Sequence, residues 1–192
     1  MQKVWQDVSD SWIEDFHYLS QGNPRVPRYS LDYAAGNMSL ALQYLRPNGK
    51  GLNQVFQSQL EYACQKVGKE DDIKVFCSST IALPRPIPVA ELVSITGMSE
   101  PHICDLCADL APGVSLFNGE ISFADEDFEH FMRDEAEEQI NYVREKIADH
   151  FMSRHKQDAY AAAHIAEALF LTGRGREIID LISVENEPKA IN

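Results

Sequence analysis

The sequence predicts a mainly α-helical protein with one β-hairpin: a helical bundle, then a helix-helix-hairpin unit, then a C-terminal αα hairpin. Three observations carry this expectation. Almost every segment is bounded by helix caps or by Gly and Pro stops. Only one stretch alternates with period two, and it does so around a turn dipeptide. The last long segment contains the run YAAAHIAEALF, whose alanines leave little bulk between packed helices. The chain has 192 residues, 44% of them hydrophobic and 24% charged, enough for one large or two small domains with a real core. That composition excludes a wholly disordered chain.

The elements follow in order. Ser9 or Asp10 can cap a helix through Trp12, Phe16 and Leu19 that ends at Gly22. Pro24, a first-turn proline, opens a second helix to Ala35, with Gly36 beyond it. A third covers 38–46 and stops at Pro47-Asn48-Gly49. The fourth, 51–67, places Leu52, Val55, Phe56, Leu60 and Ala63 on one stripe. A fifth, 70–82, is closed by Pro84-Arg85-Pro86-Ile87-Pro88, which reads as a hinge or rigid spacer. Helices over 88–96, ending at Gly97, and 100–110, capped by Ser99, come next. In VSLFNGEISFAD, Val114, Leu116, Ile121 and Phe123 alternate about Asn118-Gly119, a strong type I′ hairpin signal. Helix, helix, hairpin is the winged-helix order, with 70–82 as its first helix and 114–123 as its wing. Acidic helices over 125–134 and 136–152 follow, then a pair over 157–171 and 175–183 joined by Thr172-Gly173-Arg174-Gly175. A single helical-repeat hairpin is expected there, although the chain has no internal repeat.

Charge divides the chain. The whole carries −13, yet residues 1–82 hold 8 basic and 9 acidic groups, against 9 basic and 21 acidic in 83–192. Across 83–131 the one basic residue is Arg85, against nine acids. A DNA-reading helix needs Arg or Lys for phosphates and base edges. Here it would offer Glu100, His102, Asp105 and Asp109, so nucleic acid is not an expected partner. No apolar run approaches the ~18 residues that cross a bilayer, and MQKVWQDVSD lacks a secretory apolar core. The expected location is the cytoplasm, with no membrane partner.

Candidate chemistry is sparse. Cys104 and Cys107 form C-x-x-C within a helix, where two small residues three apart share a core-facing side. Adding Cys64 and Cys77 gives four thiols, but at no common zinc spacing, and no metal site is expected. His102, His130, His150, His155 and His164 match no ligand motif, and surface or packing roles are expected. Trp5 and Trp12, seven apart, read as core rather than a ligand cage. Asp125 to Glu129 put acids where a helix macrodipole favours them, and Arg28 is placed to pair with Asp32 one turn on. No nucleophile elbow or metal triad can be assembled, so the chain is not expected to be an enzyme.

The stretch LSQGNPRVPRYSLDYAAGN resembles the helical lid of STAND-type signal-transduction NTPases, relatives of the AAA+ proteins. In that family a Gly-x-Pro turn opens a lid helix beside bound nucleotide. The resemblance implies that Pro24 packs near the adenine and that Arg25 matches the sensor-2 arginine that reaches the phosphates. These two are the candidate cofactor-binding residues, and only together with a nucleotide-binding domain. Both roles suit the chemistry, since a helix N-terminus favours anions and Arg makes planar bidentate phosphate contacts. The family order of lid, winged helix and helical repeats then implies domains at 1–69, 70–134 and 135–192. There are departures. No G-x-x-x-x-G-K-[ST] loop is present, and where many members carry a nucleotide-sensing histidine after the wing, Asp125 is nearest.

The expectation is therefore a regulatory and oligomerisation region of a STAND-like ATPase, cut from a longer chain. It would hold no cofactor itself but respond to ATP and ADP on the parent's nucleotide-binding domain, and would assemble as a homo-oligomer. Two other classes compete: a winged-helix DNA-binding regulator, disfavoured by charge, and a stand-alone acidic adaptor for a basic protein.

Overall fold

The computed structural model describes residues 9–46, 48–67 and 70–185. Trp5 and Pro47, both used in reading the sequence, lie outside the described residues. Among those described, the chain is mainly helical with one small antiparallel sheet. The order is α1 (Asp10–Leu19), α2 (Arg25–Tyr33), α3 (Met38–Leu45), α4 (Leu52–Val67), α5 (Glu70–Ala82), β1 (Ile87–Pro88), α6 (Val89–Thr96) and α7 (Glu100–Asp109). Then come β2 (Val114–Phe117), β3 (Glu120–Phe123), α8 (Glu126–Ala136), α9 (Ile140–Arg154), α10 (Ala159–Leu171) and α11 (Gly175–Glu185).

Side-chain caps start several of these helices, each satisfying amide groups that have no partner within the helix. Asn37 accepts from the Leu40 amide at 3.1 Å at the start of α3. Asp158 accepts from the Tyr160 and Ala161 amides at 2.9 and 3.0 Å before α10. Before α4, the Gln54 side chain reaches back to the Gly51 amide at 2.9 Å, half of a capping box. Ser9, expected to cap α1, makes no such bond.

The hairpin forms where expected. Asn118 and Gly119 both have positive φ, 52° and 78°, as a type I′ turn requires. Val114 faces Phe123 and Leu116 faces Ile121 across the pair. The sheet has a third strand that the sequence reading lacked. Ile87 and Pro88 pair with Ile121 and Glu120, giving the order β1-β3-β2. Residues 84–88 are therefore not a spacer. Leu83 and Ile87 are buried, and α6 begins directly after Pro88. Proline is tolerated here because β1 is an edge strand.

The core runs without a break from α2 to α8. Tyr29 meets Phe56 edge-on at 5.0 Å and 71°, and Phe56 meets Phe128 at 5.0 Å and 87°, the favoured T-shaped geometry. Phe131 packs beside Phe56 at 5.6 Å. The Phe128 ring lies on Gly113, where an added Cβ would come within 2.4 Å of the ring carbons. Two polar ties run alongside: Gln59 Nε2 donates to the Ala111 carbonyl at 2.5 Å, and Lys66 pairs with Asp109 at 2.6 Å. The α4 stripe read from sequence does face inward, with Gln59 added to it.

Helix α5 packs on both α8 and α9, through Ile73 and Phe76 among others. Helices α9 and α10 pack together, with Ala148 and Phe151 on one and Ala161 and Ile165 on the other all buried. One expectation fails outright: Trp12 is 39% exposed rather than core. With Phe16 and Leu19 filling the buried side of α1, its ring is left at the surface.

Truncating Phe56 to Ala should cost about 3–5 kcal/mol in a urea titration. Gly113→Ala should cost roughly 1–3 kcal/mol by overpacking against Phe128. Hydrogen exchange should show amides in α2 and α8 losing protection together in either variant, because one core holds both.

Candidate functional site

The residues singled out from sequence, Pro24 and Arg25, sit at the start of α2. The chain leaves α1 through a turn in which the Gly22 amide returns to the His17 carbonyl at 3.1 Å. Asn23 then accepts the Arg25 amide on Oδ1 at 2.9 Å, so a local side-chain turn sets the entry to the helix. Pro24 occupies the N-cap position with φ −69°, already helical. Arg28 lies 4.0 Å from Asp32, the pairing expected one turn on.

Pro24 lines an open groove of about 400 Å³. Ile13, Phe16, Pro27, Leu31 and Met38 supply its apolar walls, with His17 and Ser20 as the polar members. Ile13 is largely exposed there, and Leu40 also lies exposed on α3. Apolar surface of this kind is a binding face when contiguous.

Arg25 points the other way along the chain order. Its Nη1 lies 3.3 Å from Asp125 Oδ1 and also pairs with Asp127, both just past the hairpin. Asp125 is the N-cap of α8 and accepts the Asp127 and Phe128 amides at 2.9 and 3.3 Å on the same oxygen. Tyr29, one turn after Arg25, is 3% exposed, and its hydroxyl has no hydrogen bond of ordinary geometry. Burial first, and the Asp125 carboxylate second, push its phenol above the usual tyrosine range. In the sequence Asp125 stands nearest to a sensing position, and the helix macrodipole alone suffices to explain Asp127. The missed signal was complementary charge: two acids after the hairpin and an arginine at the head of α2.

A second ionic group sits beside the first. Arg85 binds Glu129 through two nitrogens at 2.5 and 2.7 Å, and Arg133 adds a third contact at 2.9 Å. The Arg85 guanidinium also lies 5.1 Å from the Phe123 ring centre. The hydrogen bond from Arg85 is the main reason the Glu129 carboxyl is held below the usual carboxylate range. The lone basic residue of 83–131 is thus fully engaged with an acid.

On α7, Glu100 and Asp105 are exposed, Asp109 is taken by Lys66, and His102 lies 3.6 Å from Asp72. No disulfide joins the four cysteines; Cys77 and Cys107 are buried, Cys64 and Cys104 half-buried. Burial pushes the Cys107 thiol up to about 12 and raises Cys77 as well, so neither is a reactive thiolate. Among the described residues no group of three or more His, Cys, Asp or Glu is arranged for a metal ion. Cys64 and Cys77 line a separate cavity of about 360 Å³ with Glu61, Lys74 and Glu135.

One of the nine acids of 83–131 is buried, which the charge pattern alone does not reveal. Glu91 on α6 is 3% exposed and lies 2.9 Å from His150 Nε2 and 3.9 Å from Arg154 on α9. It joins the sheet-bearing unit to the C-terminal helices. Tyr160 donates to the Pro84 carbonyl across the same joint.

No protein-family model matches this chain, and a search of curated proteins finds no significant relative. Among the described residues no helix is long and apolar enough to cross a membrane.

The Glu129 pair has a pH signature. Its folded pKa is depressed, so its contribution is present above the ordinary Glu value, about 4.3, and is lost as pH falls through the lower folded value. Glu129→Gln should therefore cost about 1 kcal/mol at pH 7. Its stability should also fall less steeply than wild type on acidification below that value, as measured by thermal melts across pH.

Proposed function

We propose that the chain is a non-catalytic regulatory and oligomerisation region of a STAND-like ATPase, working in the cytoplasm. In this reading residues 1–69 form the lid, 70–134 a winged helix, and 135–192 the start of a helical-repeat region. The sequence α5, β1, α6, α7, β2, β3, with sheet order β1-β3-β2, supports the winged-helix reading.

The observation that carries the proposal is the setting of two adjacent residues. Pro24 lines an apolar groove open to solvent, and Arg25 beside it reaches the segment just past the hairpin. A nucleotide-binding domain docked on the groove would set its adenine against Pro24 and its phosphates within reach of Arg25. The partner is thus a nucleotide-binding core, and the cofactor ATP or ADP is held on that core. Nucleotide exchange then changes how tightly the lid and winged helix are held, and assembly surfaces are exposed. The Phe56–Phe128 contact supports one refinement: lid and winged helix separate only by breaking an aromatic core, and not by bending at 84–88.

A winged-helix DNA reader is not supported. Its recognition helix would be α7, whose exposed residues include Glu100 and Asp105 and whose last turn is tied to α4 through Asp109 and Lys66.

Two experiments test the reading. With the chain fused behind an AAA+ nucleotide-binding core, ATP should change the distance between fluorophores on α2 and α11, and Arg25→Ala should abolish that change. A response that survives Arg25→Ala rejects the sensor role. In gel shifts at moderate salt the chain should leave random duplex DNA unshifted, and clear binding would favour the regulator instead.

A further inference from the structure

We propose that Asp125 and Asp127 are a built-in competitor for Arg25, holding its guanidinium until a polyphosphate anion displaces them. The proposal rests on the lid reading of Arg25 and adds its regulation. Two carboxylates converge on one guanidinium, Asp125 from the N-cap of α8 and Asp127 from its first turn. Carboxylate and phosphate oxygens compete for the same planar donors. An arginine so engaged is not available to an anionic ligand unless the acids give way.

Three features make the contact displaceable. First, it is half in solvent: the side chains of Arg25 and Asp127 are 47% and 53% exposed. Exposed ion pairs are weak ties, within the reach of a multivalent anion. Second, Asp125 does not need Arg25. Its Oδ1 also caps α8 through the Asp127 and Phe128 amides, so the helix start survives when the guanidinium leaves. Third, a replacement donor is in place. The Tyr29 hydroxyl is buried and already faces the Asp125 carboxylate, though without ideal hydrogen-bond geometry. With Arg25 withdrawn, Tyr29 can donate to the freed carboxylate, and no buried charge is left without a partner. Arg25 and Tyr29 are one turn apart on α2, so a single helix carries both donors.

The test uses inorganic pyrophosphate titrated into the full 192-residue chain by calorimetry. Asp127→Asn and Asp125→Asn should each bind roughly fivefold more tightly than wild type. Asn retains the cap at 125, and Asp127, being exposed, keeps the test available should Asp125→Asn fail to fold. Adding Arg25→Gln to either variant should remove the gain. Glu126→Gln, which deletes a neighbouring exposed charge that Arg25 does not touch, should stay within about twofold of wild type. Unchanged affinity in both Asp variants overturns the proposal, as does a gain that survives Arg25→Gln or is matched by Glu126→Gln. Pyrophosphate binding needs no nucleotide core. A gain here with no Arg25 effect in the core fusion keeps the competitor and rejects the lid reading, while the reverse rejects the competitor alone.

Discussion

The contact between Phe56 and Phe128, seated on Gly113, is the constraint on which the rest of the molecule depends. Phe56 belongs to the first four helices and Phe128 to the helix after the hairpin, and both are fully buried. Their edge-to-face packing sets where α8 lies relative to α2, and hence whether Asp125 and Asp127 can meet Arg25 at all. Exposing each ring costs roughly 1.5–3 kcal/mol in transfer terms alone. A ligand that separates the two units must prefer the open form by at least the sum, on the scale of the ~5.5 kcal/mol that inverts a two-state population from 1:99 to 99:1. Tight binding alone would not suffice, because only differential affinity shifts the balance.

The formal charge of −13 is carried by acids left over once the ion pairs of the fold are made. Arg25, Arg85, Lys66, Arg154 and Arg174 are each paired with carboxylates, most of them at the surface. Arg174 alone ties the α10–α11 turn to both Asp149 and Glu177. These cations cannot also serve a phosphate backbone without breaking structural pairs. The surplus acids, Glu126, Asp134, Glu137 and Glu138 among them, remain at the surface. A surface of that charge repels a phosphate backbone.

Features with local causes were legible in the sequence. Helix ends followed caps and glycines, the α4 stripe followed its period, and Asn118-Gly119 announced the hairpin because both positions must adopt positive φ. Features whose cause lies far along the chain were not. β1 is two residues long and exists only because β3 pairs with it, so no alternation marks it. Trp12 reads as core because it lies seven residues from Trp5 on one helical face, but burial depends on what packs opposite, and Trp12 stays 39% exposed. Of the candidate site, the sequence named Pro24, Arg25 and Asp125 but not their geometry. Asp127 and Tyr29 joined them through tertiary contacts about a hundred positions away or through burial, and neither leaves a pattern in a single chain.

Three of the joints among the described residues differ in how readily each can open. The first is the aromatic column from Tyr29 through Phe56 to Phe128, whose ring contacts are buried and lost outright once parted. At the C-terminal joint Glu91, almost fully buried, meets His150 and Arg154. Breaking that pair on one side strands a buried charge, a penalty of about 3–5 kcal/mol, which favours a fixed register between α6 and α9 over movement. The Arg25 contact is the third, and it alone is half solvated with every partner provided for after release. A ligand acting on this chain therefore meets its least resistance at Arg25. Tyr29, one turn on from Arg25 on α2, packs edge-on against Phe56, so the Arg25 contact and the aromatic column share one helix.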